Sequence, residues 1–100
     1  MLISLQDVQE IVKMMSLKLR GIVEEAYLFG SIVEGNAIAG ESDLDLLIIP
    51  SDKRVDYFSL LDDVVEKLLD LGIVLHIHIA DNVTYKHLLE HVRANAMKIA

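Results

Sequence analysis

The chain has 100 residues and a net charge of −7, and these two values restrict its domain organisation and the classes of ligand that it can bind. This length can enclose a single hydrophobic core, so we expect one domain over residues 1–100 without a separate substrate domain. The acidic surface excludes bulk nucleic-acid binding through a basic patch, and the absence of cysteine excludes disulfides and thiolate catalysis.

The first predicted element is an amphipathic helix over residues 6–19. Apolar side chains recur there at steps of three and four residues, which is the spacing of one helix face, and Gly21 is a typical helix stop. A short apolar run over residues 26–29 follows and ends at Gly30-Ser31. We predict that this run is a brief strand.

The second half of the chain alternates between strand and helix patterns. Residues 44–49 are apolar and partly β-branched, which favours a buried strand. Residues 57–71 carry apolar side chains at helical spacing and stop at Gly72. Residues 73–79 alternate between two faces and form the third predicted strand. A last helix is predicted from residue 81 or 82 through about residue 96, capped by an aspartate or asparagine.

This order of elements predicts the fold class. Strands interleaved with helices indicate an α/β (α+β) domain, with a small mixed sheet of three or more strands and helices packed on one face. The longest apolar stretches, such as residues 44–50, are too short to span a bilayer. The N-terminus lacks the basic-then-apolar order of a secretory signal. We therefore expect a cytoplasmic protein that does not contact a membrane.

Gly30-Ser31 is the first pattern that points to chemistry. A strand that ends in glycine and serine and then turns into a helix can bind an anion. The glycine lets the backbone approach a phosphate, while free N–H groups and the serine hydroxyl can donate to it. Taken alone, a Gly-Ser pair is most often an ordinary turn.

Asp43 and Asp45 form the second pattern, at the start of the second strand. Alternate residues of a strand share a face, so both carboxylates project to the same side. Their mutual repulsion is relieved by divalent cations, and Mg²⁺ prefers carboxylate oxygens combined with substrate phosphates. An isolated Asp-x-Asp is otherwise typical of a solvated turn.

The two patterns together resemble the signature of the nucleotidyltransferase superfamily related to DNA polymerase beta, in particular its minimal, single-domain branch (MNT). The resemblance spans residues 27–79. It implies that Gly30 and Ser31 bind the triphosphate of ATP or another nucleoside triphosphate, and that Asp43 and Asp45 hold two Mg²⁺ ions. The family reaction moves a nucleoside monophosphate to a hydroxyl acceptor and releases pyrophosphate.

The resemblance also implies a partner. Minimal members of the family often occur beside a HEPN-domain protein, in toxin–antitoxin pairs in which the minimal protein is the antitoxin and some members modify the toxin. A chain of this length has no room for a substrate domain. We therefore expect a second protein, or a second copy of the chain, to complete the site.

The third predicted strand departs from the family pattern. Active members carry a third carboxylate there, whereas this chain offers His76 and His78. His76 could accept the proton of the acceptor hydroxyl, because the ordinary pKa of imidazole lies near neutrality. The pair could equally belong to a site that binds nucleotide without chemistry, bind a transition metal, or be half-buried without a role.

The loop after Ser31 is a second departure. Residues 32–41 contain two glutamates and no lysine or arginine, although many relatives hold a cation there to clamp phosphates. These departures support an alternative in which the chain is a catalytically degenerate interaction module that keeps only the nucleotidyltransferase fold.

Overall fold

A computed structural model of the chain describes residues 2–3, 5–30, 33, 37–38, 42–51, 54–80 and 96–100. The last predicted helix falls almost entirely on residues 81–95, outside this description. Among the described helices, none has the length and apolar character needed to cross a membrane.

In the sequence, the first described helical segments come before the first long strand, and the others lie between the second and third long strands. They are a 3-10 turn at Leu5–Val8 and three α-helices: α1 at Gln9–Leu19, α2 at Tyr57–Leu60 and α3 at Asp62–Asp70. The described strands are β1 at Leu2–Ile3, β2 at Val23–Phe29, β3 at Ala37–Ile38, β4 at Ser42–Pro50, β5 at Ile73–Ile79 and β6 at Met97–Lys98.

Four strands form a mixed sheet in the order β5-β4-β2-β6. Strand β4 pairs antiparallel with β2 and parallel with β5, while β6 pairs antiparallel with β2. The two short strands β1 and β3 form a separate antiparallel pair. This topology confirms the predicted small mixed sheet.

The main hydrophobic core lies between one face of this sheet and the helices. In β4, every second side chain, namely Leu44, Leu46 and Ile48, is fully buried in this core. From the helices, Met15 and Leu19 of α1 pack into the same cluster, together with buried side chains of α2 and α3. The described helices therefore cover a single face of the sheet, as the sequence predicts. They do not cover the opposite face of β4.

The predicted helix over residues 57–71 is interrupted only at Leu61. Two helix-type backbone hydrogen bonds still cross this point: Leu61 N–H donates to Tyr57 O, and Val65 N–H donates to Leu61 O, at 3.1 and 2.9 Å. The two segments α2 and α3 therefore continue one another with a local irregularity.

The C-terminal residues adopt a structure that the sequence did not predict. Ala96 lies outside any helix, and Met97–Lys98 form the strand β6. Ile99 N–H donates to Ala26 O, and Ala26 N–H donates to Ala100 O, at 2.9 and 3.0 Å. Residues 97–100 therefore extend the sheet beside β2.

Candidate functional site

Asp43 and Asp45 lie at the beginning of β4, on the face of the sheet opposite the helices. Their neighbours Leu44 and Leu46 point into the main core, so the alternation of the strand sends the two carboxylates to the other side. Asp43 is 57% exposed and Asp45 is 23% exposed. Both carboxylates thus stay accessible to a ligand while a strand in the middle of the sheet holds their backbone.

Gly30 packs directly against Asp45. The antiparallel pairing sets Phe29, the last residue of β2, opposite Asp45, so the chain turns at Gly30 immediately beside the carboxylate. The φ of Gly30 is +106°, and a β-carbon built on it would lie 2.8 Å from Asp45 Oδ2 and 3.2 Å from Asp43 O. Only a residue without a side chain fits in this conformation and this space.

His76 and His78 project from β5 to the same face as the two carboxylates. Nε2 of His78 lies 3.1 Å from Oδ1 of Asp45, and Nε2 of His76 lies 3.5 Å from Oδ2 of Asp43. Because an ionised carboxylate only accepts hydrogen bonds, the His78 N–H donates in the shorter contact. Each imidazole therefore faces one carboxylate.

The parallel register explains this pairing. Asp45 is aligned with His76, and Asp43 is aligned with Val74. Each imidazole thus contacts the aspartate that lies two residues before the β4 residue with which the histidine is aligned. The aromatic ring of Phe29 also contacts His78, with ring centroids 5.8 Å apart, which adds a packing contact on the β2 side.

An apolar cluster adjoins the polar groups on this face. Tyr27 of β2 and Leu47 and Ile49 of β4 are buried in it, and Phe29 packs against their cluster. Polar side chains thus mark the beginning of β4, and apolar side chains follow toward its end. The polar side chains that β4 presents on this face therefore lie at the end of the strand next to Gly30.

The two carboxylates, taken without the imidazoles, are ligands of the kind that Mg²⁺ takes. Two carboxylates beside a phosphate-accessible backbone match the way proteins bind this ion, which takes one or two carboxylates, substrate phosphates and water. Within the described part of the chain, no three His, Asp or Glu side chains lie close enough to hold one metal ion by themselves. An ion at Asp43 and Asp45 would therefore need oxygen ligands from the substrate or from water.

The structure brings together four of the five predicted site residues: Gly30, Asp43, Asp45 and His76. Ser31, the fifth, lies outside the described residues. His78 is not among the catalytic residues predicted from sequence, although it makes the shorter of the two contacts with a carboxylate. The i, i+2 spacing with His76 placed both on one face, but only the pairing register could assign each to a particular aspartate.

Two comparisons with known proteins bear on this site. No curated protein gives a significant match to the chain. A family model described as "Nucleotidyltransferase domain" matches residues 6–99, which is nearly the whole sequence and includes Gly30, both aspartates and both β5 histidines. The match agrees with the mixed sheet and with the resemblance found from the Gly-Ser and Asp-x-Asp patterns. The chain therefore belongs to the nucleotidyltransferase domain family.

Proposed function

We propose that this protein transfers a nucleoside monophosphate from ATP or another nucleoside triphosphate to a hydroxyl acceptor. The acceptor oxygen forms a bond to the α-phosphorus, the bond between the α- and β-phosphates breaks, and pyrophosphate leaves. The observation that carries the proposal is the contact between Gly30 and the Asp45 carboxylate. It brings a backbone able to approach phosphate and a cation ligand to one point.

Each site residue has a role in this proposal. Asp43 and Asp45 would hold Mg²⁺, which supplies the positive charge that aligns the attacking hydroxyl and stabilises the leaving pyrophosphate. Gly30 and Ser31 would receive the triphosphate, with the serine role resting on the sequence pattern alone. His76, whose Nε2 lies 3.5 Å from Asp43, would accept the proton of the acceptor hydroxyl.

Calorimetry with ATP and Mg²⁺ tests the binding part of this proposal. We expect measurable heat with the wild-type protein and its loss in Asp43→Asn, which removes a negative charge and keeps the shape of the side chain. Asp70→Asn, which makes the same substitution at the end of α3, is the matched control and should bind like the wild type. Equal, negligible heats from the wild type and Asp43→Asn would contradict the proposal.

A partner protein is the acceptor that we propose, following the resemblance to minimal family members. An α-helical HEPN-type protein, in a toxin–antitoxin pair, or a second copy of this chain would present the hydroxyl. Incubation with labelled nucleoside triphosphate and the candidate partner should transfer label to the partner only when Asp43 and Asp45 are intact. We propose the cytoplasm as the location, where nucleoside triphosphates are available.

A catalytically degenerate interaction module is the second candidate. The observation that favours it is the imidazole pair on β5, where active family members carry a carboxylate. This candidate predicts that the double variant Asp43→Asn/Asp45→Asn still co-purifies with its partner, and that the wild type transfers no nucleotide. Label transfer by the wild type that the double variant abolishes would exclude it.

A further inference from the structure

We propose that the β5 imidazoles make this face selective for divalent transition-metal ions such as Co²⁺ or Zn²⁺ over Mg²⁺. Two carboxylate–imidazole pairs would bind them, Asp43–His76 and Asp45–His78. This inference shares Asp43, Asp45 and His76 with the proposed function, and an ion bound to Nε2 of His76 would replace the proton-accepting role proposed for that atom. It concerns which ion binds, and metal alone can test it.

The distances within the pairs fit a shared ion. Two ligand atoms that each lie about 2.1 Å from one ion are about 3.0 Å apart at a right angle and about 3.4 Å apart at the tetrahedral angle. The observed separations are 3.1 Å for His78 Nε2 and Asp45 Oδ1, and 3.5 Å for His76 Nε2 and Asp43 Oδ2. An ion can therefore enter either pair with little movement of the side chains.

The chemistry of the ligands sets the preference among ions. Mg²⁺ is a hard ion that takes oxygen ligands, whereas neutral imidazole suits Zn²⁺ and other transition metals. Nε2 is the atom that faces the carboxylate in both histidines, so a bound ion would replace the hydrogen that His78 Nε2 donates to Asp45, and each neutral ring would carry its proton on Nδ1. The side chains of His76 and His78 are each 47% exposed, which leaves an approach from solvent.

The two pairs act as separate sites. Residues two apart along a strand are about 7 Å from one another, which is too far for both pairs to hold one ion at bonding distance. This spacing agrees with the absence, among the described residues, of a group of three metal-ligating side chains. Water or phosphate oxygens of a bound nucleotide would complete each coordination shell.

Calorimetry tests the inference: the untagged protein is titrated with Co²⁺ and with Mg²⁺ in the absence of nucleotide. The visible absorption of bound Co²⁺ provides a second measurement. The wild type should bind Co²⁺ more tightly than Mg²⁺. The variant His76→Gln/His78→Gln should bind Co²⁺ at least about tenfold more weakly, since even the loss of an outer partner of a ligand costs about 10–100-fold. Its affinity for Mg²⁺ should not fall.

Two further variants keep the test decisive. His76→Asp/His78→Asp supplies oxygen in place of nitrogen and should shift the preference toward Mg²⁺, which also covers a glutamine variant that fails to fold. His87→Gln/His91→Gln removes the other two histidines of the chain and should change nothing. Equal affinity of the wild type for the two ions, or loss of Co²⁺ binding only in the His87/His91 variant, would overturn the inference.

The outcomes separate this inference from the proposed function. Nucleotide transfer by a protein that binds Mg²⁺ and Co²⁺ equally would overturn the ion selectivity and retain the activity. Selective Co²⁺ binding through His76 and His78, without nucleotide binding or transfer under any of these ions, would support the selectivity and overturn the activity.

Discussion

At the scale of single residues, Gly30 determines how closely the backbone approaches the carboxylates. Its positive φ and its contact with Asp45 exclude a side chain for two independent reasons, one of conformation and one of space. Gly21 also has a positive φ, of +82°, but no heavy atom lies within 4 Å of where its β-carbon would be. A side chain at Gly21 would therefore introduce backbone strain alone, whereas a side chain at Gly30 would introduce both strain and a steric clash.

We expect Gly30→Ala to destabilise the protein and to impair the site together. Backbone strain at such a position costs on the order of 1–3 kcal/mol, and the new methyl group must also displace the Asp45 carboxylate. Urea unfolding measures the first effect, and calorimetry with Mg²⁺ and ATP measures the second.

Gly21→Ala is the control for this variant because it introduces strain without contact. It should lower the free energy of unfolding and leave ligand binding as in the wild type. Binding that survives Gly30→Ala unchanged would mean that the close approach to Asp45 has no part in the site.

The sequence predicted which site residues share a face within one strand, because side chains alternate along a strand. Alternation alone placed Asp43 with Asp45, and His76 with His78, on shared faces. It could not supply the register between β4 and β5, which depends on pairing between segments about 30 residues apart in the chain. The contact of Gly30 with Asp45 depends in the same way on the pairing of β2 with β4.

At the scale of elements, the start of α2 shows how a short helix is fixed. Asp56 is its N-cap: Ser59 N–H donates to Oδ1 at 3.2 Å, and the Ser59 hydroxyl donates to Oδ2 at 2.8 Å. These hydrogen bonds, with the hydroxyl first, lower the pKa of Asp56 from its ordinary value of 3.8. The ionised cap therefore favours the folded state.

The sign of the pH effect follows from this shift. A carboxyl group whose pKa is lowered by folding stabilises the protein above its unfolded-state pKa, and this stabilisation is lost as the pH falls through the folded-state value. We expect the difference in unfolding free energy between the wild type and Asp56→Asn to stay constant near neutral pH. As the pH falls below the ordinary value of 3.8, the wild type should lose stability relative to Asp56→Asn.

Urea unfolding at a series of pH values checks this expectation, with Ser59→Ala as the matched variant. Removal of the hydroxyl takes away the largest cause of the shift, so the pH dependence due to Asp56 should shrink in Ser59→Ala. A difference between the wild type and Asp56→Asn that stays constant throughout acidification would contradict the assignment of this cap.

Elements with strong local patterns were predicted better than those that depend on distant partners. Strand β5 has the predicted bounds because its alternation begins directly after Gly72. Strand β2 begins three residues earlier than predicted, since Glu24 and Glu25 interrupt its apolar pattern while the strand continues to Val23 through a shift of register with β4 between Val23 and Glu25. Strand β6 has only two residues and exists through pairing with β2, so no local signal indicated it.

At the scale of the whole molecule, one hydrogen bond joins the first helix to the C-terminal residues. The hydroxyl of Ser16, in α1, donates to Ile99 O at 2.6 Å across a separation of 83 residues. Ile99 also pairs with Ala26 through its N–H. The contact thus connects the helix layer to the added edge of the sheet.

We expect Ser16→Ala to lower the free energy of unfolding by about 1–3 kcal/mol, because it leaves a partly buried carbonyl without its donor. Chemical denaturation followed by circular dichroism measures the change. Ser51→Ala removes a similar bond, from a hydroxyl to Ile22 O, at an exposed position and should cost less. Equal losses of unfolding free energy in the two variants would show that the hydrogen bond to Ile99 contributes no more to stability than an exposed one.

The parallel pairing of β4 with β5 has a consequence for how the chain tolerates sequence change. A slip by one residue would turn both imidazoles inward among Leu44 and Leu46 and turn Leu75 outward into solvent. Burial of unpartnered polar rings is costly, so the histidines oppose the misaligned form of the sheet. Any insertion near Gly72 must then be accommodated in the turn, because His76 and His78 also favour the correct register of the strand that carries them.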